Sequence, residues 1–113
     1  MTISKLPPHD SNGFYLMNGK PAHGCYGPPR APRDDEVRTA IAFLSQLTPT
    51  KHPTLSSYYL KHRAENWGNQ HGTESYVSNG ALIEAAIRLG LTIKPVNINA
   101  NIGVSVKDVK ALE

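Results

Sequence analysis

Apolar positions recur with helical spacing in three stretches of the chain and with strand spacing near its end. Val37, Ala40, Ile41, Leu44 and Leu47 fall on one face of a helix. Its start is set at Arg33-Asp34-Asp35-Glu36, where three acids sit at the positive end of the helix dipole. Thr48-Pro49 ends it, because the residue before a proline is pushed out of the α region. Thr54 is the expected N-cap of a second helix over about 55–67. Leu60, Ala64 and Trp67 line its inner side, with Leu55 and Tyr59 beside them, and Tyr58, Lys61, His62 and Glu65 take the other side. Gly68 closes this helix and opens a polar loop.

Ser78-Asn79 caps a third helix running from Gly80 to Leu89, with Gly90 past its end. Leu82, Ile83, Ala85, Ala86, Ile87 and Leu89 make it apolar round most of its girth. Glu84 and Arg88 form a favourable i, i+4 pair on the remaining stripe. A helix this apolar belongs in the middle of a core. After it, Leu91-Thr92-Ile93-Lys94 alternates like a strand, and Ile102-Gly103-Val104 pairs with it across 97–101. Ser105-Val106-Lys107-Asp108 has the form of a capping box, so a short helix to Leu112 follows, with Val106, Val109 and Leu112 facing inward.

The first third reads differently. Pro7-Pro8, Pro28-Pro29 and Pro32 forbid a helix through it. Phe14-Tyr15-Leu16-Met17 followed by Asn18-Gly19 suggests a small hairpin, with Pro21 confining the return limb to an edge. The expected division is a Pro/Gly-rich basic arm at 1–33 and a single small helical domain at 34–113. The expected fold class is α+β and predominantly helical. Three to four helices surround a central apolar helix at about 79–89, with a short C-terminal β-hairpin and the N-terminal arm.

Composition narrows the function classes. The chain has 113 residues, enough for one ordinary domain. No run approaches the roughly 18 apolar residues of a membrane span, and the first residues lack the apolar stretch of a secretory signal, so a cytoplasmic location is expected and no membrane partner. Cys25 is the single cysteine, which excludes an internal disulfide framework and a multi-thiolate zinc site. The net charge of +3 resides in residues 1–33, where Lys5, Lys20, Arg30 and Arg33 face Asp10 alone. A mildly basic arm on a neutral body favours an anionic partner, although dedicated DNA binders carry denser basic faces.

Candidate chemistry is sparse. His23 and Cys25 make one loose ligand pair without the second pair that structural zinc requires. Cys25 lies among Gly24, Tyr26, Gly27 and Pro28, with no cation or helix start to activate a thiolate. No glycine-rich phosphate loop follows a strand. No catalytic residue, cofactor or metal is therefore expected, and the chain is read as no enzyme.

Two binding readings remain. Tyr15, Tyr26, Tyr58, Tyr59, Tyr76 and Trp67 are amphipathic anchors of the kind that dominate protein interfaces. Three helices followed by a β-hairpin is also the order of a winged helix, whose third helix enters the major groove. Here the third helix offers few base-reading side chains, and Tyr58, Lys61, His62 and Arg63 on the second are better placed for phosphates. A merely solvated helix face would carry the same four residues.

The run Ser57-Tyr58-Tyr59-Leu60-Lys61-His62-Arg63-Ala64-Glu65, followed by Tyr76-Val77-Ser78-Asn79-Gly80-Ala81-Leu82-Ile83, resembles small accessory proteins of phages, plasmids and integrative elements. The resemblance covers Ser56 to Leu89 and brings no catalytic motif. It implies a mobile-element role, either as a DNA-binding regulator or as a stoichiometric inhibitor of host defence such as a CRISPR effector. The leading expectation is a non-enzymatic binding protein that inhibits or modulates a larger nucleic-acid-handling machine, its partner a larger protein or ribonucleoprotein complex. The alternative is a winged-helix-like DNA-binding transcriptional regulator. The expected contact surface comprises Tyr15, Tyr26, Arg30 and Arg33 of the arm with Tyr58, Lys61, His62 and Arg63 of the second helix.

Overall fold

A computed structural model describes residues 6–15, 30–72 and 76–112. The chain is α+β, and its described residues form four helices and two small antiparallel sheets. In order these are β1 (His9–Asp10), β2 (Gly13–Phe14), α1 (Asp34–Leu44), β3 (Leu55–Ser56), α2 (Ser57–Gln70), α3 (Asn79–Arg88), β4 (Ile93–Val96), β5 (Asn99–Ile102) and α4 (Val106–Ala111). Among the described residues no helix is long and apolar enough to cross a membrane.

α3 has the ends its sequence prescribes. The Ser78 hydroxyl accepts from the Ala81 N–H at 3.0 Å. Gly90, at φ +72, lets the Leu91 N–H return to the Ala86 carbonyl and its own N–H to Ile87. Leu82, Ile83, Ala85 and Ala86 are buried, and the helix packs on α1, α2, β2 and β5. Ile87 is only half-buried and Leu89 is exposed, so the apolar girth is less completely covered than the pattern implies.

α1 begins at the expected acids but ends at Leu44. The Ser45 hydroxyl donates to the Ile41 carbonyl at 2.6 Å as the chain turns away, and Leu47 is still buried beyond the helix. Phe43, absent from the predicted face, is buried against Trp67 at a ring separation of 6.2 Å.

α2 starts later than expected because Leu55 and Ser56 are already committed to a strand. Leu55 pairs with Ile102 and Ser56 with Asn101. Ser56, in place of Thr54, caps the helix by accepting from the Tyr58 N–H. The Thr54 N–H goes to the Ile102 carbonyl instead. The helix also runs through Gly68 to Gln70.

The C-terminal hairpin is tighter than the predicted loop at 97–101. β4 and β5 meet at a two-residue turn, with Asn97 at φ +56 and Ile93 opposite Ile102. With β3 they form a sheet of order β3-β5-β4. Pro95 sits on the outer strand of that sheet, where its missing N–H can face outward. In α4 the Ser105 hydroxyl caps Asp108 N–H as predicted, but the Asp108 carboxylate bonds the Thr48 N–H at 2.8 Å. Val109 faces the core, whereas Val106 does not.

The N-terminal segment needs the largest correction. Residues 9–14, upstream of the proposed Asn18-Gly19 turn, make a hairpin of their own, with His9 opposite Phe14. Asn18-Gly19 lies outside the described residues. Phe14 is fully buried in the core, so this stretch of the expected arm belongs to the body.

Candidate functional site

The turn at Ser11-Asn12 lies against the start of α3. The Gly80 N–H donates to the Ser11 carbonyl at 3.0 Å. A methyl group on Gly80 would collide with the Asp10 carbonyl oxygen, so the close approach requires glycine there.

Beside it stands a buried polar junction centred on Asn79. The Ser57 hydroxyl donates to Asn79 Oδ1 at 2.7 Å and accepts from the Ala100 N–H at 3.0 Å. Asn79 Nδ2 faces the Asn12 carbonyl and Asn99 Oδ1, both at 2.9 Å, and the Ile98 carbonyl at 3.3 Å. Two amide hydrogens thus serve three acceptors, the longest contact being shared. One side chain ties α3 to the N-terminal turn, to α2 and to the C-terminal hairpin. Its hydrogen-bonding capacity is used up internally, so its work is positioning.

Two adjoining clefts open over this junction. The first, about 290 Å³, is lined by Tyr58 and Lys61 of α2, Tyr76, Asn12, Asn79 and Asn99 among others. The second, about 230 Å³, is lined by Arg30, Arg33, Glu36 and Ser78 and shares Ser11, Asn12 and Tyr76 with the first. Tyr58 and Tyr76 are 56% and 62% exposed, unusually high for large aromatic side chains.

Four of the eight expected contact residues therefore line the two adjoining clefts: Tyr58 and Lys61 the first, Arg30 and Arg33 the second. Lys61 is not the solvated cation expected, being only 4% exposed. Its Nζ lies 3.2 Å from Glu65 Oε2, 4.5 Å from the Tyr76 ring centre and 5.7 Å from that of Tyr58. The two rings cover the cation and favour it through their π faces. Glu65 also accepts from the Val77 N–H at 3.1 Å, which fixes the chain next to Tyr76. Glu36 does the same for the following residue, its Oε1 accepting from the Ser78 N–H at 2.9 Å.

The Arg33 guanidinium donates to the Asp35 carboxylate at 3.1 Å, and this bond holds the Asp35 carboxyl below the ordinary carboxylate range. The Arg30 carbonyl accepts from the Ser11 N–H at 2.7 Å, which pins the residue to the turn while its side chain stays exposed. His62 lies beside the first cleft, edge-on to Tyr58 at 4.8 Å and 3.2 Å from Glu65.

The other expected residues fall elsewhere. Tyr15 is half-buried next to the hairpin, its N–H on the Pro8 carbonyl. Arg63 lines a separate depression with Phe43 and Trp67, its guanidinium 5.8 Å from the Tyr59 ring centre. Tyr26 lies outside the described residues. Sequence reasoning missed Asn12, Asn79 and Asn99 as members of a single site. Ser78-Asn79-Gly80 reads as a helix start, and that reading leaves no reason to look for a second partner of Asn79. A glycine directly after the cap was the available signal.

Among the described residues, no group of three or more His, Cys, Asp or Glu side chains is placed to hold a metal ion. No family model, curated protein or solved structure matches the chain.

Proposed function

We propose that this is a non-enzymatic binding protein whose contact surface is the double cleft around Tyr76. The observation that carries the reading is the exposed Tyr76, which lines both the cleft of exposed Tyr58 and the cleft of Arg30 and Arg33, on a floor already fixed by internal hydrogen bonds. A preset floor reduces the ordering cost of association, and exposed tyrosines supply large contact area with few rotamers to freeze. With the resemblance to mobile-element accessory proteins, the partner is a larger protein or ribonucleoprotein machine, and the action is stoichiometric occupation of its surface. Host-defence effectors of the CRISPR kind belong to that class.

The DNA-binding regulator is the second reading, favoured by one observation. The order α1-β3-α2-α3-β4-β5 with sheet order β3-β5-β4 is that of a winged helix. Against it, the start of α3 is covered by the chain's own turn at 11–12, and Ser78 and Asn79 are buried. A groove-reading helix presents its first residues to base edges. The protein-binding reading therefore ranks first.

The test is capture from a host lysate by immobilised full chain, repeated with Tyr76→Ala and Tyr58→Ala. Both changes should abolish or sharply reduce the captured species while the chain stays folded, with only the small fall in melting temperature that loss of one cation–π contact to Lys61 brings. A gel shift on random duplex at two salt concentrations separates the alternative. Tight, steeply salt-dependent binding is the signature of phosphate contacts and would reverse the ranking.

A further inference from the structure

We infer that residues 6–12 form a releasable strap, hinged at Gly13, whose opening takes both clefts apart while the core stays closed. This holds whatever occupies the clefts. Burial differs sharply on the two sides of the hinge. Phe14 is fully buried and its N–H donates to the Ile98 carbonyl at 2.9 Å, so the chain is anchored from that residue on. Upstream of Gly13 no apolar side chain of the strap is buried: Leu6 and Pro7 are half-buried and Pro8 is exposed. The one buried residue there is Asp10, at 3% exposure. Segments with little buried apolar surface open at free energies well below that of global unfolding.

Asp10 adds a cost to the closed form. Its Oδ1 accepts from the Asn12 N–H at 2.8 Å, whereas its Oδ2 is buried without a hydrogen-bond partner among the described residues. A buried, half-satisfied carboxylate costs more than a neutral polar group in the same place. Opening the strap returns it to water.

What holds the strap shut is polar. The Ser11 N–H donates to the Arg30 carbonyl at 2.7 Å, and the Ser11 carbonyl accepts from the Gly80 N–H at 3.0 Å. The Asn12 carbonyl accepts from the Asn79 amide, and the Pro8 carbonyl from the Tyr15 N–H, both at 2.9 Å. His9 Nε2 lies 2.8 Å from Glu84 Oε1. Each of these groups exchanges its partner for water on opening, so the net worth of each bond is small. Gly13, at φ +127, separates the polar strap from the apolar anchor, and glycine has the least restricted backbone of any residue. Ser11 and Asn12 line both clefts. A molecule seated in either cleft against them binds the closed form and draws the strap shut.

Native-state hydrogen exchange on the full ¹⁵N-labelled chain, in low urea, tests this. Phe14 and Tyr15 are the decisive pair, because the first donates to the C-terminal hairpin and its neighbour donates to the strap. Gly80 reports with the strap as well, since an N–H in the first turn of a helix has no partner within the helix. After correction for intrinsic rates, the amides of Ser11, Tyr15 and Gly80 should exchange at least about tenfold faster than those of Phe14 and Ala100. Their rates should also depend little on urea, because little surface is exposed by the opening. Asp10→Asn keeps the acceptor for Asn12 and removes the charge. It should slow exchange of the three strap amides by about threefold to tenfold.

Equal protection of Phe14 and Tyr15 would overturn the inference, because the chain would then have no hinge between strap and anchor. Unchanged or faster exchange of the strap amides in Asp10→Asn would overturn it too, because the buried carboxylate would then not be working against the closed form.

Discussion

The turn at 9–14 and the hairpin at 93–102 meet where the Phe14 N–H donates to the Ile98 carbonyl at 2.9 Å, yet they are held by different means. The C-terminal hairpin has four residues in each strand, and on β5 half-buried and buried positions alternate. It is a ladder with one face on the core. The N-terminal pair has two residues in each strand, and Asp10, Gly13 and Phe14 are all buried. A ladder that short is not stable alone. It persists because Phe14 fills the core and because Gly13 and Gly80 let backbone approach backbone, Gly13 at φ +127. The C-terminal hairpin is thus specified by its own residues, and the N-terminal one by the helix it lies on. Since the N-terminal turn supplies Ser11 and Asn12 to both clefts, the candidate site depends on the less self-sufficient element.

The sharpest way to break this contrast is at Phe14. Phe14→Ala should cost roughly 3–5 kcal/mol, the range for fully buried aromatics. Removing residues 1–15 should cost more, because the bonds from Ser11 and Asn12 go with it. Urea unfolding followed by circular dichroism measures both. A midpoint close to that of the parent would mean that the segment is an appendage after all.

A second comparison lies within α3. Leu82→Ala should cost roughly 2–5 kcal/mol, as for a fully buried leucine. Ile87→Ala, at a half-buried position, should cost on the order of 1 kcal/mol. Equal losses would show that the outer end of α3 is as well covered as its middle.

This difference marks what could be read from the chain. The three main helices were legible from their apolar stripes, and α3 also from Ser78 and Gly90 at its ends, whereas for α2 neither Thr54 nor Gly68 marks an end. The C-terminal hairpin was legible from alternation, although the short turn at Asn97-Ile98 was not. β3 was hidden because two residues carry no period, and Leu55 fits a helix face as readily as a strand. The turn at 9–14 was hidden for the stronger reason that its stabilising partners are Ile98, Asn79 and Gly80, more than 60 positions away in sequence. Lys61 was placed on the wrong side because helical spacing cannot foresee that Tyr76, arriving from another segment, will cover it. Half of the expected contact residues line the two clefts, while the asparagines that shape the floor became visible only once four segments were brought together.

Gly80 tests the docking without touching the core. In an exposed helix, alanine is favoured over glycine by up to about 1 kcal/mol, so a helix start with nothing packed on it should be stabilised by Gly80→Ala. Here the added methyl meets the Asp10 carbonyl. The change should instead cost roughly 1–3 kcal/mol, as overpacking does, and should shift the amides of residues 9–14 in an NMR spectrum. Stabilisation would show that the turn does not rest on α3.

The smallest effect expected concerns the ionic tie between the same two elements. Glu84 of α3 lies 2.8 Å from the His9 imidazole and 2.8 Å from the Arg88 guanidinium. Burial alone would raise its pKa, but the hydrogen bonds from Arg88 and His9, with their charge, outweigh it and hold the carboxyl below the ordinary range. A value depressed in the folded state means that the ionised carboxylate adds stability above the unfolded-state value of about 4.3. That contribution fades as the pH falls through the lower, folded-state value. Glu84→Gln should therefore flatten the decline in melting temperature as the pH falls from about 5 to 3, a window set by that value. The gap between parent and variant should stay within about 1 kcal/mol, because the Arg88 side of the pair is half exposed. Asp35 and Asp108 also have depressed values, through Arg33 and Thr48, and keep a residual slope in the variant. Parallel curves for parent and variant would mean that His9 and Arg88 do not stabilise the ionised carboxylate, and that the N-terminal hairpin is held to α3 by Phe14, the Asn79 amide and backbone contact without an ionic share.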